Sequence, residues 1–405
     1  MATKTHAVMG GIAAAAAIII AVIVLGQTNM SDEFMEPATQ DTQITVFASF
    51  YPYYEFTKNV AGDQAIVKQY MPAGIEAHDW DPRAADIQMV HDANVFVYNG
   101  LGMEPYVDQM LASGEYENTA FVSASKGVEL IKNEKTEHME EFSEEILHII
   151  EEFEEGHITE SKAIKEIKET LHEHEGDGHE HDDNDTIEEI LHEIEDGHTS
   201  PKDGLEEISH SLGHETDLGH ETDLGHDHDF EYDPHIWLDP ILVKQQVNNI
   251  KEALIVVDPG NAESYEQNAS AYNANLDEFN TRAMSELSEC KKDSLVTFHS
   301  AFTYFGQRYG LDIYSLSGIA PETEASAFEI AKFVDFVRDN GIEFIFAEEL
   351  IDPRLAQVIA DEAGAQVLLL SPLESLTPEE AKVDVTYLEK MEQNLENLKT
   401  ALDCT

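Results

Sequence analysis

Three histidines stand where an imidazole could hold a metal ion. His78 lies in Gly74-Ile75-Glu76-Ala77-His78-Asp79-Trp80-Asp81-Pro82, His235 in Asp233-Pro234-His235-Ile236-Trp237-Leu238-Asp239-Pro240, and His299 ends the run Leu295-Val296-Thr297-Phe298-His299. Neutral imidazole is a common ligand of zinc, copper and nickel. The nearby carboxylates Asp79, Asp81, Asp233 and Asp239 could accept from the second ring nitrogen, which is how outer partners orient metal-bound imidazoles. Both tryptophans, Trp80 and Trp237, flank these histidines and could wall the site, although packing alone also explains a tryptophan. Taken singly, each histidine reads as a hydrogen-bonded loop residue; together, beside a histidine-rich stretch, they read as a metal site. His91, in a helical turn ahead of Asp92-Ala93, reads as an ordinary surface or packed residue.

The histidine-rich stretch runs from Glu134 to Glu231. Counted to Asp233 it holds 36 acids, 5 bases and 14 of the chain's 19 histidines. Gly213-His214-Glu215-Thr216-Asp217-Leu218 repeats at a period of six as Gly219-His220-Glu221-Thr222-Asp223-Leu224. A coarser echo pairs Glu144-Glu145-Ile146-Leu147-His148 with Glu188-Glu189-Ile190-Leu191-His192. The echoes carry i, i+3, i+4 apolar spacing and predict short amphipathic helices. The Gly-His-Asp portions offer little apolar surface against the entropy of ordering, so these portions of the insert are expected to be mobile. Its chemistry is that of weak, additional metal capture by imidazoles and carboxylates.

The elements that must position His78, His235 and His299 read as alternating strands and helices. Strands are predicted at Ile44–Phe50, Ala65–Met71, Asn94–Tyr98 and Ala120–Ser123, and again at Ser294–Phe298, Ile313–Leu316, Ile342–Ala347 and Gln366–Leu370. Helical patterns fall between them, with one at Pro378–Leu402 at the end. Such alternation with short connections argues parallel sheets covered by helices. Glu263–Leu287 has neither Gly nor Pro and keeps helical apolar spacing, so it is expected to join the two series. The fold class is therefore α/β: two parallel-sheet lobes joined by one long rigid helix, with the insert in the first lobe. The expected division is a leader over 1–30, a linker over 31–42, a first lobe over 43–262 with its insert at 134–231, a connecting helix over 263–289 and a second lobe over 290–405. In open parallel sheets ligands bind beyond the carboxyl ends of strands, where His78 and His299 fall, one in each lobe.

The chain has 405 residues, 42% of them apolar, enough for sizeable cores. Its 82 acids against 23 bases give a formal net charge of −59, which repels phosphate backbones and excludes a nucleic-acid partner. Ala7–Gly26 is an uncharged run of twenty small or apolar residues. As a helix of about 30 Å it could cross a bilayer, which predicts export; its length fits an uncleaved membrane anchor better than a cleaved signal. Gln27 rather than a cysteine follows the run, which argues against a lipid anchor there. Outside the cytoplasm Cys290 and Cys404 could form one bridge tying the C-terminus to its domain.

Several of these segments together resemble the metal-binding solute receptors of ABC importers. They are Phe50–Tyr54, Gly74–Pro82, Asn99-Gly100-Leu101-Gly102-Met103-Glu104, Asp233–Pro240, His299–Gly310 and Gly318-Ile319-Ala320-Pro321-Glu322-Thr323-Glu324-Ala325-Ser326-Ala327. The resemblance covers about residues 43–131 and 232–403. Its acidic, histidine-rich insert is typical of the zinc-specific branch, the zinc-uptake receptors of cluster A-I. It implies one zinc ion held tightly between the lobes by His78, His235 and His299, weaker ions on the insert, an ABC permease as partner, and no enzymatic activity; a monomer is expected. Many relatives place an aspartate ligand where this chain has Ser371, and that departure argues against manganese, which prefers oxygen donors. Water, Glu76, Glu348, Glu349 or Ser371 remain open as the fourth ligand. The alternatives are a manganese or iron receptor of the same family, a zinc-dependent hydrolase, and a metal-buffering surface protein whose whole function is the insert. Against the hydrolase, the sequence has no His-Glu-x-x-His pair and no distinct acid/base partner.

Overall fold

In the first lobe, β1 (Ile44–Ala48) pairs in parallel with β2 (Ala65–Gln69) on one side and with β3 (Val95–Tyr98) on the other; β4 (Ala120–Ser123) completes the order β2-β1-β3-β4. The second lobe repeats the plan as β6-β5-β7-β8, with β5 at Ser294–Thr297, β6 at Asp312–Ser315, β7 at Phe344–Ala347 and β8 at Gln366–Leu369. The computed structural model describes residues 43–154, 156–174, 187, 190–194, 198–213, 230–319, 327–350 and 353–404. The run Ala7–Gly26 and its linker lie outside them. Among the described residues no helix is long and apolar enough to cross a membrane.

Among the described residues, the helices around the two sheets include α1 (Tyr51–Ala61), α2 (Ala84–Met89) and α3 (Pro105–Ser113) in the first lobe, then α7 (Pro240–Val257) and α8 (Ala262–Leu287), then α9 (Thr303–Tyr309), α10 (Ala327–Asp339) and α11 (Pro353–Ala363) in the second. The long helix α8 is explained by its stripe: Tyr265, Ala269, Tyr272, Leu276, Phe279, Ala283 and Leu287 recur every three or four residues and are all buried. They belong to one apolar core that also takes Phe56 from α1, Trp237, Leu254 from α7 and Leu398 from the C-terminal helix. The expected C-terminal helix is two, α12 (Pro378–Lys382) and α13 (Tyr387–Ala401). Asp384 between them takes φ 57°, and Thr377 and Thr386 each cap a new start by accepting from the backbone N–H of Glu380 and Glu389. Helix α7 was not predicted. Its start is encoded by Asp239, whose carboxylate accepts from the N–H of Ile241, and by Pro240 at the first turn. Cys290 and Cys404 form a disulfide, as expected, fastening the end of α13 to the chain just past α8.

The insert carries the amphipathic helices expected of it, and its Gly-His-Asp portions, expected to be mobile, lie outside the described residues. It contains α4 (Glu134–Glu154), α5 (Glu160–His174), a helical stretch over residues 190–194 and α6 (Pro201–Gly213). These share a core of their own, in which Phe142, Ile146, Ile150, Ala163, Ile167, Leu171, Ile187, Ile190, Leu191, Ile194, Leu205 and Ile208 are buried. The predicted amphipathic faces meet one another, and that burial offsets the ordering entropy. Gly204 allows the approach: a Cβ there would lie 2.5 Å from Cδ1 of Ile194. The insert leaves and returns through a narrow neck, where Lys132 and Tyr232 form an antiparallel bridge and Asp233 N–H donates to Ile131 O at 2.9 Å. The six-residue repeats after Gly213 lie outside the described residues.

Candidate metal centre

The loop after β2 carries His78, a short turn past the insert's neck carries His235, the bend just past β5 carries His299, and the loop after β8 carries Glu374. These four side chains offer one donor atom each, all within 4.8 Å of one another. Nε2 of His78 lies 3.3 Å from Nε2 of His235. Oε1 of Glu374 lies 3.3 Å from Nε2 of His235, 3.5 Å from that of His299 and 3.6 Å from that of His78. Donors about 2.0–2.1 Å from a tetrahedral zinc ion lie roughly 3.3 Å apart, so the donor spacing suits such an ion. The side chains are 0–3% exposed. Nε2 of His299 and both carboxylate oxygens of Glu374 are buried without a hydrogen-bond partner, a costly arrangement that a cation would relieve.

Local structure fixes two of the rings by hydrogen bonds. Asp233 Oδ1 accepts from both the backbone N–H and Nδ1 of His235, at 2.9 and 2.8 Å. Asp233 is itself held, since Tyr304 OH donates to its carbonyl at 2.8 Å. His299 Nδ1 bonds Glu348, which stands at the carboxyl end of β7, and Thr297 Oγ1 donates to the carbonyl of His299 at 2.9 Å. Glu374 comes from a tightly tied loop. Asn394 on α13 clasps Ser371, accepting from its N–H at 2.8 Å and donating to its carbonyl at 2.7 Å. Trp237 Nε1 donates to Pro372 O at 2.7 Å, and Gly74 N–H donates to Ser375 Oγ at 3.0 Å. Leu373, fully buried, takes φ 59°, a conformation bulky residues rarely adopt, in the turn immediately before Glu374.

Electrostatics follow from burial and crowding. Burial pushes His78 below the ordinary imidazole range. Burial also acts against protonation of His235 and His299, but Asp233 with Glu374, and Glu348 with Glu374, outweigh it and hold both rings above that range. Glu374 is buried too, yet its neighbour Glu76 and the three imidazoles around it keep it well below the usual carboxylate range. Burial and the charge of Glu374 push Glu76 up to about 10, so of this carboxyl pair Glu76 keeps the proton at neutral pH.

The structure thus brings His78, His235 and His299 together as expected and adds Glu374, which sequence reading missed. Of the open fourth candidates, Glu76 neighbours Glu374 and Glu348 holds the far side of His299. Glu349 pairs with Lys390, and Ser371 Oγ accepts from the N–H of Leu373 at 3.2 Å; none of these four is in the donor cluster. A signal for Glu374 existed: it is the sole acid between Leu370 and Thr377. Asp233 orients an imidazole as expected, whereas Asp239 caps α7 and pairs with Arg308, and Asp79 and Asp81 are exposed. Trp237 sits 5.0 Å from the His235 ring, but Trp80 packs elsewhere, on Tyr70 and Tyr106. His91 stacks on Tyr116, away from the cluster. Residues 320–326 of the Gly318–Ala327 motif lie outside the described residues.

Comparison with known proteins agrees with this geometry. The chain is 29% identical over 360 residues to the high-affinity zinc uptake system protein ZnuA of Bacillus subtilis (strain 168), covering 89% of this chain and 88% of that protein. It is 30% identical over 363 residues to the zinc-binding lipoprotein AdcA of Streptococcus pneumoniae R6, covering 90% of this chain but only 56% of the longer relative. The crystal structure of the Zn(II)-bound ZnuA-like domain of Streptococcus pneumoniae AdcA superposes with a TM-score of 0.60 at 27% identity, over 89% of this chain and 99% of that domain. Residues 46–401 match the family described as zinc-uptake complex component A, periplasmic, and the chain belongs to that ZnuA family.

Proposed function

We propose that this chain is an extracytoplasmic zinc receptor that captures one Zn2+ between its lobes and delivers it to an ABC-type permease. The observation that carries the reading is the buried set of three imidazole nitrogens and one carboxylate oxygen, the oxygen 3.3–3.6 Å from each nitrogen and all four within 4.8 Å of one another. In this reading His78, His235, His299 and Glu374 are the ligands. Three nitrogen donors and a single oxygen suit zinc better than manganese, which favours oxygen-rich sites. The family and the zinc-named relatives support the same assignment. The work is capture and ligand exchange, without turnover of a substrate. The insert, with an excess of acids and most of the histidines, holds further ions weakly near the site. The apolar run Ala7–Gly26 tethers the receptor, as a monomer, to the outer face of the membrane.

Equilibrium dialysis against zinc with manganese in excess tests this. The full chain should retain one tightly held zinc ion that manganese does not displace, together with weaker ions that disappear when residues 136–227 are replaced by a short linker. Loss of the tight ion with the insert, or its displacement by equimolar manganese, would overturn the assignment.

A further inference from the structure

Two of the three rings in the cluster are clamped at Nδ1 by a carboxylate, His235 by Asp233 and His299 by Glu348. His78 is not. Its Nδ1 is buried and has no hydrogen-bond partner among the described residues. An imidazole turns about its second side-chain torsion with broad preferences, so an unclamped ring could present either nitrogen. Something else must hold Nε2 toward the other donors.

The group in position to do so is Phe230. Its ring stands at 88° to that of His78 with centroids 5.5 Å apart, an edge-to-face contact, and Phe230 is 5% exposed. Gly102 makes room for it: with φ +87°, a Cβ at that position would lie 3.1 and 3.2 Å from two Phe230 ring carbons. Phe230 is also anchored from behind. The next residue, Glu231, accepts from Asn133 N–H at 3.1 Å, and Tyr232 bridges to Lys132. The same short segment continues to Asp233, which orients His235, and then to His235 itself.

We infer that Phe230 is a positioning residue for His78, doing by packing what Asp233 and Glu348 do for the other rings by hydrogen bonding. The inference rests on the reading of His78 as a zinc ligand. The segment that closes the insert, residues 230–235, then supports two of the three imidazoles. Loss of such support around a metal ligand typically weakens affinity by about 10–100-fold.

The test compares the full-length wild type with Phe230→Ala, Phe230→Leu, Phe230→Tyr and His78→Ala. Zinc affinity is read by chelator competition, and ligand geometry by the visible absorption of the cobalt(II)-loaded protein. F230A should weaken zinc about tenfold and change the cobalt bands, F230L should fall between, and F230Y should restore both readouts. Should F230A fail to fold, F230L carries the comparison. If F230A, or F230L in its place, binds zinc within twofold of wild type with a superimposable cobalt spectrum while H78A loses tight binding, the role of Phe230 is refuted and the site stands. If H78A itself binds as wild type does, the ligand assignment is what fails.

Discussion

Glu374 is the donor that the structure adds, and replacing it with glutamine is the sharpest test of the site. An oxygen bearing a unit charge about 2 Å from a divalent ion is attracted by about 4 kcal/mol even at the dielectric constant of water. Glu374 is 2% exposed, so the screening is weaker than that. Against this, the carboxylate is also stabilised in the metal-free protein, where His235 and His299 are held above their usual range partly by its charge. Its loss there returns about 1.5–3 kcal/mol, the typical range for a polar interaction with a charged group. The net expectation is a loss of about 3 kcal/mol, or roughly a hundredfold in Kd. Chelator competition at pH 7.5 reads this directly. Two companions sharpen it. Glu76→Gln imitates the protonated acid that Glu76 already is near neutrality, given its rise to about 10, and should stay within about threefold of wild type. Ser371→Ala removes a hydroxyl that accepts from Leu373 and should do the same. Glu374→Gln binding within threefold of wild type, or Ser371→Ala losing as much as Glu374→Gln, would refute the argument.

Two further outcomes are expected. Zinc must displace protons from His235 and His299, which sit above the ordinary imidazole range, so affinity should begin to fall above pH 6.5 as pH is lowered, with His78 joining only at lower pH; calorimetry in buffers of different ionisation enthalpy should report proton release near pH 7, and a flat affinity from pH 8 to 5.5 would contradict it. Lys390 is 1% exposed and binds both Glu349 and Glu380, so Lys390→Met strands two carboxylates and should lower the stability of the metal-free protein by about 3 kcal/mol in denaturant unfolding.

Most of the scaffold was legible because its signals are local. Strand runs such as Val95–Val97 are bounded by turn residues, and the stripe of α8 is helical over its whole length. His78 and His299 could be placed because both follow predicted strands. What failed depended on tertiary partners or on turn geometry. The spacing of Phe142, Ile146 and Ile150 marks an apolar face but does not say that Ile167, Leu191 and Leu205 will cover it. Glu374 was passed over because Ser371 occupies the position expected for a carboxylate, and nothing in composition reveals that Leu373 will turn through the left-handed region just before Glu374. Helix α7 carries buried residues at 243, 246, 247, 250 and 254, a helical pattern that begins directly after the metal motif. The break in the C-terminal helix was readable in Thr377…Glu380 and Thr386…Glu389, two capping boxes inside one apparent periodic run.

The distribution of donors constrains how an ion can leave. Glu374 belongs to the second lobe by chain order, yet its segment is fastened to the first, by Trp237 to Pro372 on one side and Gly74 to Ser375 on the other. Further along, Tyr51 OH donates to Val385 O, Lys58 pairs with Asp384, and Tyr387 OH donates to the carbonyl of Trp237. Phe56 and Trp237 from before α8, Tyr272 on it and Tyr387 from after it lie in one core and are at most 5% exposed. Exposing a large apolar side chain costs about 1.5–3 kcal/mol, so parting the lobes through these four rings alone would consume about 6–12 kcal/mol, comparable to the whole stability of a typical domain. Displacing a loop that carries one ligand disrupts far less of this core. His78 differs from the other two rings in having no hydrogen bond at Nδ1 among the described residues, so moving its side chain breaks no carboxylate clamp, whereas moving His235 or His299 breaks one.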